Sequence, residues 1–429
     1  MSNFKIAVLA IFSVSIVVGI ALFAMYRAGA GQTTYNLTVW GLLPQDQFQI
    51  LYKTATISKD KYITVKYVQK NASDFDTDFV QALADGVGPD VVILRDDYFY
   101  KNRNRFFVIP YGNFSQRTFK DTFTQETEMF LSPDGVTALP LFVDPLVLYW
   151  NRDILKNALV ASPPKYWDEL YALSGKISTH DSSSDIIQST ISFGEWNNVT
   201  NAKEILSLLL LQAGTPIVSF DSGQKKYTSV LDSQFGQPIA PAESALNFYT
   251  QFSNPTSIYY SWNRSLPSSL NFFLSGNLAL YVGEASELFS IQQKNPNLNF
   301  DVTDIPQIRG NTNKVDFAHI YATAIVKQSK SIPGAFTLVT SLVEAPAISA
   351  LQTVTNLPPA RRNLLSQPPT DPYRVVFYNS ALIGQAFVDP DPAQTTAIFR
   401  DMINSITSGQ SQISVSVGEA NQSLNSAFK

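Results

Sequence analysis

Three tryptophans sit among small or uncharged polar residues. Trp40 precedes Gly41, Trp196 precedes Asn197, and Trp262 lies between Ser261 and Asn263. A sugar ring presents C–H faces to an aromatic plate and hydroxyls to amides and carboxylates, so such groupings suit a ligand of that kind. Each tryptophan also carries enough apolar area to belong to a core. Arg95, Asp96 and Asp97 form a second grouping, with two acceptors and one forked donor in a row.

Chemistry of other kinds is poorly supported. Cysteine is absent, and His180 and His319 are the only histidines. That removes disulfides, thiolate metal sites and cysteine nucleophiles, and makes a zinc hydrolase improbable. A Ser-His-Asp triad would have to use one of those two histidines, and no G-x-S-x-G elbow is present. His180 reads as an exposed loop residue, and His319 as a structural or hinge residue in an apolar strand. Gly86-Val87-Gly88 follows a helix and lacks the lysine of a phosphate loop. Asp96 and Asp97 are adjacent but lack further convergent ligands in the sequence, so no metal site and no cofactor are expected. The expectation is a binding protein and not an enzyme.

The elements that must position these residues are legible in part. Tyr35, Leu37 and Val39 alternate with Asn36, Thr38 and Trp40, as a half-buried strand does, and Ile63, Val65 and Tyr67 repeat the pattern. Phe75, Phe79, Ala82 and Leu83 share a helical stripe that Gly86 and Gly88 end. Val91 to Leu94 is an unalternating apolar run, which suits a parallel strand covered on both faces. Strand, helix and strand at this spacing predict an α/β fold. Arg95 to Asp97 then fall at the carboxyl end of a strand, where ligand crevices lie in open α/β sheets. Further helices are predicted from Pro163-Pro164 through Trp167 to Leu173, over 204–212, from about Ala242, from Pro333, over 393–406, and on to Phe428. Strands are predicted at 146–149, 278–282 and 318–326; Pro140 and Pro145 bracket Leu141 to Asp144 just ahead of the first, and Asn151-Arg152-Asp153 ends it.

The 429 residues are enough for two domains. Charged residues make up 15%, against about 25% in ordinary soluble domains. The net charge of −4 argues against a nucleic-acid partner. Residues 6–26 form an apolar run of membrane-spanning length between Lys5 and Arg27. It is expected to be an uncleaved anchor, with a cleaved signal peptide at Ala28-Gly29-Ala30 as the alternative. Either reading places the remainder outside the cytoplasm.

Several stretches together carry a family resemblance: LPLFVDPLVLYWNRDI over 139–154, FLSGNLALYVGE over 273–284, GPDVV over 88–92 and LPPARR over 357–362. In order and spacing they resemble extracellular solute-binding proteins of the maltose-binding type, which serve ABC importers. The resemblance implies a type II periplasmic-binding-protein-like α/β fold with two lobes and a cleft between them. It implies lobe 1 over 35–147 and 317–365, and lobe 2 over 150–315 and 370–429. Crossovers would place Tyr149, Phe317 and His319 at the hinge. It also implies ligand contacts from Trp40, Arg95, Asp97, Asp144, Trp196, Asn197, Trp262 and Glu284. Trp262 would be the first stacking plate, the three carboxylates would accept from hydroxyls, and Arg95 would donate. Ala285 stands near where sugar-binding members often carry an aromatic plate, a departure from maltose-like specificity. The implied partners are a neutral carbohydrate and an ABC permease. A membrane-anchored surface or sensory protein of the same fold would carry the same features without transport.

Overall fold

A computed structural model describes residues 34–367 and 369–428. The expected anchor at 6–26 lies outside them. Ten strands form one mixed sheet: β1 (Tyr35–Gly41), β2 (Ile63–Gln69), β3 (Val91–Arg95), β4 (Leu139–Asn151), β5 (Thr179–His180), β6 (Ile186–Ile191), β7 (Leu278–Glu284), β8 (Phe300–Thr303), β9 (Asp316–Ile325) and β10 (Gly384–Gln385). The spatial order is β2-β1-β3-β9-β4-β7-β6-β5, with β8 paired to β4 and β10 to β9. The predicted α/β class is therefore the observed one.

The sheet has two halves joined through β4. Its residues 139–145 pair antiparallel with β9, and its residues 146–151 pair antiparallel with β7 and β8. The first half has a parallel centre, with β1 between β2 and β3. Val91 to Leu94 are fully buried there, as an unalternating apolar strand must be. Leu37, Val39 and Gly41 of β1 point into the core on alternate positions.

Pro140 and Pro145 do not set off 141–144 from the strand expected at 146–149; β4 runs through both. A proline donates no ladder hydrogen bond, so it is tolerated where pairing is already irregular. Pro140 stands opposite Ala322, at a register shift in β9 between Tyr321 and Ala322.

Helices cover each half separately. Helix α1 (Gln45–Thr54) and helix α2 (Phe75–Ala84) belong to the first half, and all four stripe residues of α2 are buried. Helix α3 (Ala202–Ala213) is buried around nearly its whole girth and packs beside α4 (Pro241–Thr250). Helices α5 (Ile332–Leu342) and α6 (Ala345–Thr355) return to the first half, where α6 packs on α1. Helices α7 (Pro392–Thr407) and α8 (Ile413–Ala427) pack with each other and with α4. The helix predicted after Pro163-Pro164 begins later, at Glu169. Trp167 precedes it, with its indole N–H donated to Gln212 Oε1 at 2.5 Å.

Among the described residues, no single helix is long and apolar enough to cross a membrane. The pair α5 and α6 would pass together, but it bends by 61°, and Leu338, Leu342, Ile348 and Leu351 are buried in the protein core.

Candidate functional site

Seven segments bring ionisable side chains to the seam between the halves. The carboxyl end of β3 delivers Arg95, and the 3₁₀ turn Asp96–Tyr98 follows at once. The first turn of α3 supplies Lys203 and Glu204, after Asn201 in the left-handed conformation (φ 61°) that asparagine tolerates better than most residues. Glu284 ends β7, while Asp144 of β4 and His319 of β9 face each other in the ladder. Asp389 and Asp391 stand just before α7, and Asp391 caps it by accepting from Ala393 N and Gln394 N.

Charges this deep must be paired, because an isolated ion loses its hydration. Arg95 donates twice to Asp97, from Nε to Oδ1 at 3.1 Å and from Nη2 to Oδ2 at 2.7 Å. Lys203 Nζ donates to Asp389 Oδ2 at 2.5 Å and lies 3.8 Å from Asp97 Oδ2. His319 Nδ1 is 2.9 Å from Asp96 Oδ1, and that oxygen also accepts from Ile320 N. His319 Nε2 faces Glu204 Oε1 at 3.3 Å and Glu284 Oε1 at 3.8 Å. Asp144 Oδ1 accepts from Ser286 N at 3.0 Å.

The pairing sets the protonation states. Burial and the Arg95 charge push the His319 pKa down, but Asp96 and Glu204 outweigh them and hold it at about 10. Burial raises Glu204, yet its hydrogen bond and charge contact with His319 bring it to about 2. Burial also raises Asp97, but Arg95 and Lys203 hold it below the usual carboxylate range. Glu284 goes the other way, since burial and nearby Asp144 push it up to about 8.

Beside this network lies a cavity of ≈ 640 Å³. Ser73, Asp76, Arg95 and Asp97 form one wall, and Trp196, Asn197, Lys203 and Glu204 the other. Arg400 of α7 closes one side. Charged and amide side chains share the lining with Trp196, Val199 and Pro392, as a site for a polar ligand requires.

Of the residues singled out in the sequence, Arg95, Asp97, Trp196 and Asn197 line this cavity. Asp144, Glu284 and His319 lie in the adjoining ion-pair network and do not line the cavity. Trp262 is fully enclosed, packs edge-on to Phe272, and donates its N–H to Asn198 Oδ1 at 3.1 Å. The large apolar ring has gone to the core, and it has no face left for a ligand. Trp40 does not reach the cavity; the ammonium of Lys70 sits over its ring, 4.0 Å from the centroid. Tyr149 is buried, and its hydroxyl donates to the Glu284 carbonyl at 2.9 Å. Phe317 packs edge-on to His319. Ala285 is buried against the end of β7. His180 is exposed, in the short strand β5 and not in a loop, and stacks near Tyr260.

Sequence reasoning missed Lys203, Glu204, Asp389, Asp76 and Arg400 as site residues. A signal existed for the first two. Lys203 and Glu204 open a helix that is apolar on nearly every side, and charges in such a helix need partners from elsewhere in the fold. Asp389 had none, because it is 186 positions from Lys203.

Comparison with known proteins bears on the family and the fold. The family model described as bacterial extracellular solute-binding protein matches residues 47–347. The chain belongs to that family. Among solved structures, this solute-binding protein is similar to a cyclo/maltodextrin-binding protein complexed with maltotetraose. The TM-score is 0.73 at 16% identity, covering 92% of this chain and 97% of the other. It is also similar to a Thermus thermophilus maltotriose binding protein bound with maltotriose, with a TM-score of 0.67 at 16% identity, covering 92% and 100%. These likenesses establish a shared mixed α/β fold. No curated protein sequence matches the chain significantly.

Proposed function

We propose that this solute-binding protein is the extracytoplasmic substrate-binding component of an ABC importer, and that it captures a neutral hydroxylated solute, a mono- or oligosaccharide. The observation that supports this most is the ≈ 640 Å³ cavity, with polar groups of both kinds on two facing walls and Trp196 among them. In this reading lobe 1 spans 35–147 and 317–365, and lobe 2 spans 150–315 and 370–429. Asp97 and Glu204 accept from ligand hydroxyls, Arg95, Lys203 and Asn197 donate, and Trp196 supplies the apolar face. Asp144 and Glu284 act from behind, by holding Ser286 and Arg95. The ligands of the two similar solved structures favour the same substrate class. The delivery partner is a membrane permease, and the segment at 6–26 tethers the domain outside the cell.

Tyr149, Phe317 and His319 lie where β4 and β9 pass between the halves, and they serve as the hinge. The pairs Arg95–Glu284, at 3.7 Å, and Lys101–Asp391, at 2.9 Å, then belong to the closed arrangement. Ligand shifts the population toward that arrangement through its contacts with both walls.

A thermal-shift screen of the full-length protein against sugars, polyols, amino acids and peptides tests the reading, followed by calorimetry on hits. A ligand at about 100 times its Kd should stabilise the native state by about 2.7 kcal/mol. Trp196→Ala should then weaken sugar binding by about 2 kcal/mol if the ring is a buried anchor. Binding of peptides or amino acids but of no sugar rejects the ligand class. A radius of gyration unchanged at saturation rejects the hinge.

A further inference from the structure

Ion pairs hold the floor of the seam, but one margin of it is closed by rings. Tyr100 lies in the short helix Phe99–Asn102, just past the Asp96–Tyr98 turn of the first half. Its neighbours fix it there. Phe99 packs on Phe106 and Phe130, and Asn102 donates to Asp76 Oδ1 at 3.0 Å. The Arg103 guanidinium lies over the Tyr100 ring, 3.9 Å from its centroid.

The facing rings come from the second half. Val218–Asp221 and Lys226–Ser229 form a two-stranded hairpin outside the main sheet. Asn425 Oδ1 accepts from Ser229 N at 2.8 Å, and Asn421 Oδ1 from Leu231 N at 3.1 Å, which fastens the hairpin to α8. Tyr227 of the hairpin thereby stacks on Phe428, just past α8, with centroids 6.2 Å apart. Tyr100 meets both rings in T-shaped contacts, its centroid 5.6 Å from Tyr227 at 90° and 5.1 Å from Phe428 at 75°. Such pairs attract beyond their buried area, because the positive edge of one ring meets the negative face of the other.

Two features set this contact apart from a core. A cavity of ≈ 160 Å³ lies beside it, walled by Phe99, Tyr100, Phe106 and Phe130 from the first half and by Tyr227 and Val388 from the second. Interlocked surfaces would leave no such void. Tyr100 and Tyr227 are also only half-buried, so water already reaches them. The contact can open without unfolding either half.

We propose that Tyr100, Tyr227 and Phe428 form an aromatic latch between the halves, which favours their closed arrangement and so raises affinity for a ligand that none of the three touches. The latch rests on the hinge reading given above. None of its rings lines the ≈ 640 Å³ cavity, so it acts on the population of the closed arrangement and not on the ligand. Apparent affinity scales with that population. Salt screens the Lys101–Asp391 pair but leaves ring contacts in place, so the effect of the latch persists at high ionic strength.

The chain has no cysteine, so two introduced ones are unique label sites. Asn104→Cys, near Tyr100, and Gln224→Cys, in the hairpin turn, are both at exposed positions. Spin-label distances in full-length, ligand-free protein at high salt read the closed and open populations. A T-shaped ring pair is worth roughly a 2- to 10-fold bias, so Tyr100→Ala should shift the ratio toward the longer distance by about 5-fold or more, and Tyr227→Ala by at least about 2-fold. Tyr100→Phe keeps the ring and should match the parent. With a sugar identified by the screen, Tyr100→Ala should raise the Kd by a similar factor and leave the distance at saturation unchanged. Thermal melts establish that each variant is folded, and the two alanine variants lie in different halves, so each guards the other. Distance distributions identical in the parent and both alanine variants overturn the latch, whether or not a sugar binds. A Tyr100→Phe shift as large as that of Tyr100→Ala also overturns it. A failed sugar screen beside a shifted distance rejects the ligand class and keeps the latch.

Discussion

The charged seam and the aromatic core of the second half met similar demands with opposite outcomes. Both drew residues that could have contacted a ligand. In the core, Trp262 is fully buried and packs with Phe272, while Phe193, Tyr249 and Phe252 cluster nearby in the same half. At the seam, Arg95, Asp97, Lys203 and Glu204 are also largely buried, yet all four border an open cavity. The difference is thermodynamic. Burying an indole is favourable by itself, so a tryptophan needs no ligand to explain it. Burying a carboxylate or an ammonium is unfavourable unless a partner is supplied. Buried charges from distant segments therefore locate the site better than aromatic rings do.

The largest expected effect tests the aromatic side of that contrast. Trp262→Ala removes a fully enclosed ring and its bond to Asn198, and should cost about 3–5 kcal/mol of stability. Denaturant unfolding measures it. A loss below about 1 kcal/mol, together with weakened ligand binding, would return Trp262 to the site.

The next prediction addresses the charged side. Asp389→Ala leaves Lys203 buried with only Asp97, at 3.8 Å, for a partner. Removing one member of a buried pair costs about 3 kcal/mol. Lys203→Met in the same background should recover much of the loss, since no charge then remains to be solvated. Failure of the second substitution to recover stability would show that the cost lies in packing and not in charge.

How far the sequence could be read follows the same division. Val91 to Leu94 were legible as a central strand because an unbroken apolar run needs only local information. The stripe of α2 and the carboxyl-end position of Arg95 to Asp97 were legible for the same reason. The length of β4 was not, because Pro140 and Pro145 suggest boundaries, and the register shift opposite Pro140 exists only once β9 is paired. Trp196 and Trp262 have nearly the same local composition, yet one lines the cavity and the other is enclosed. Nothing within a few residues of either could have separated them. The Lys203–Asp389 and His319–Glu204 pairs join residues 186 and 115 positions apart, so they exist only once the chain is folded.

Two aspartates sharpen the comparison through pH. Asp97 and Asp316 are both almost fully buried. Burial raises Asp97, but Arg95, Lys203 and His319 lower it below its ordinary value of 3.8. Asp316 lies beside Ser380, the Phe317 N–H and the Asp304 charge, and burial drives it well above 3.8. No cation lies within ion-pair distance of Asp316 among the described residues. The signs are therefore opposite. The Asp97 contribution to stability is present above pH 3.8 and is lost as pH falls through its lower folded value. The Asp316 contribution is complete below pH 3.8 and is lost as pH rises through its higher folded value. Asp97→Asn should accordingly lower the Tm at neutral pH and approach the parent in acid. Asp316→Asn should match the parent most closely near pH 4 and gain on it as pH rises. Parallel Tm–pH curves for the parent and either variant would refute that assignment.

The smallest effect comes from the ion pairs at the outer edge of the seam. Lys101 bridges Asp76 and Asp391, each at 2.9 Å, but a third of its side chain is exposed, against 7% for Lys203. Water and salt screen such a pair, and exposed bridges typically contribute about 0–1 kcal/mol. Lys101→Met should therefore change stability by less than about 1 kcal/mol, and high salt should shrink even that difference. If Lys101 also holds the two lobes closed, its loss should raise the radius of gyration of the ligand-free protein, measured by scattering at low salt. A stability loss as large as that of Asp389→Ala, and insensitive to salt, would mean that exposure does not divide the outer pairs from the inner ones. The site would then have to be located by cavity geometry alone.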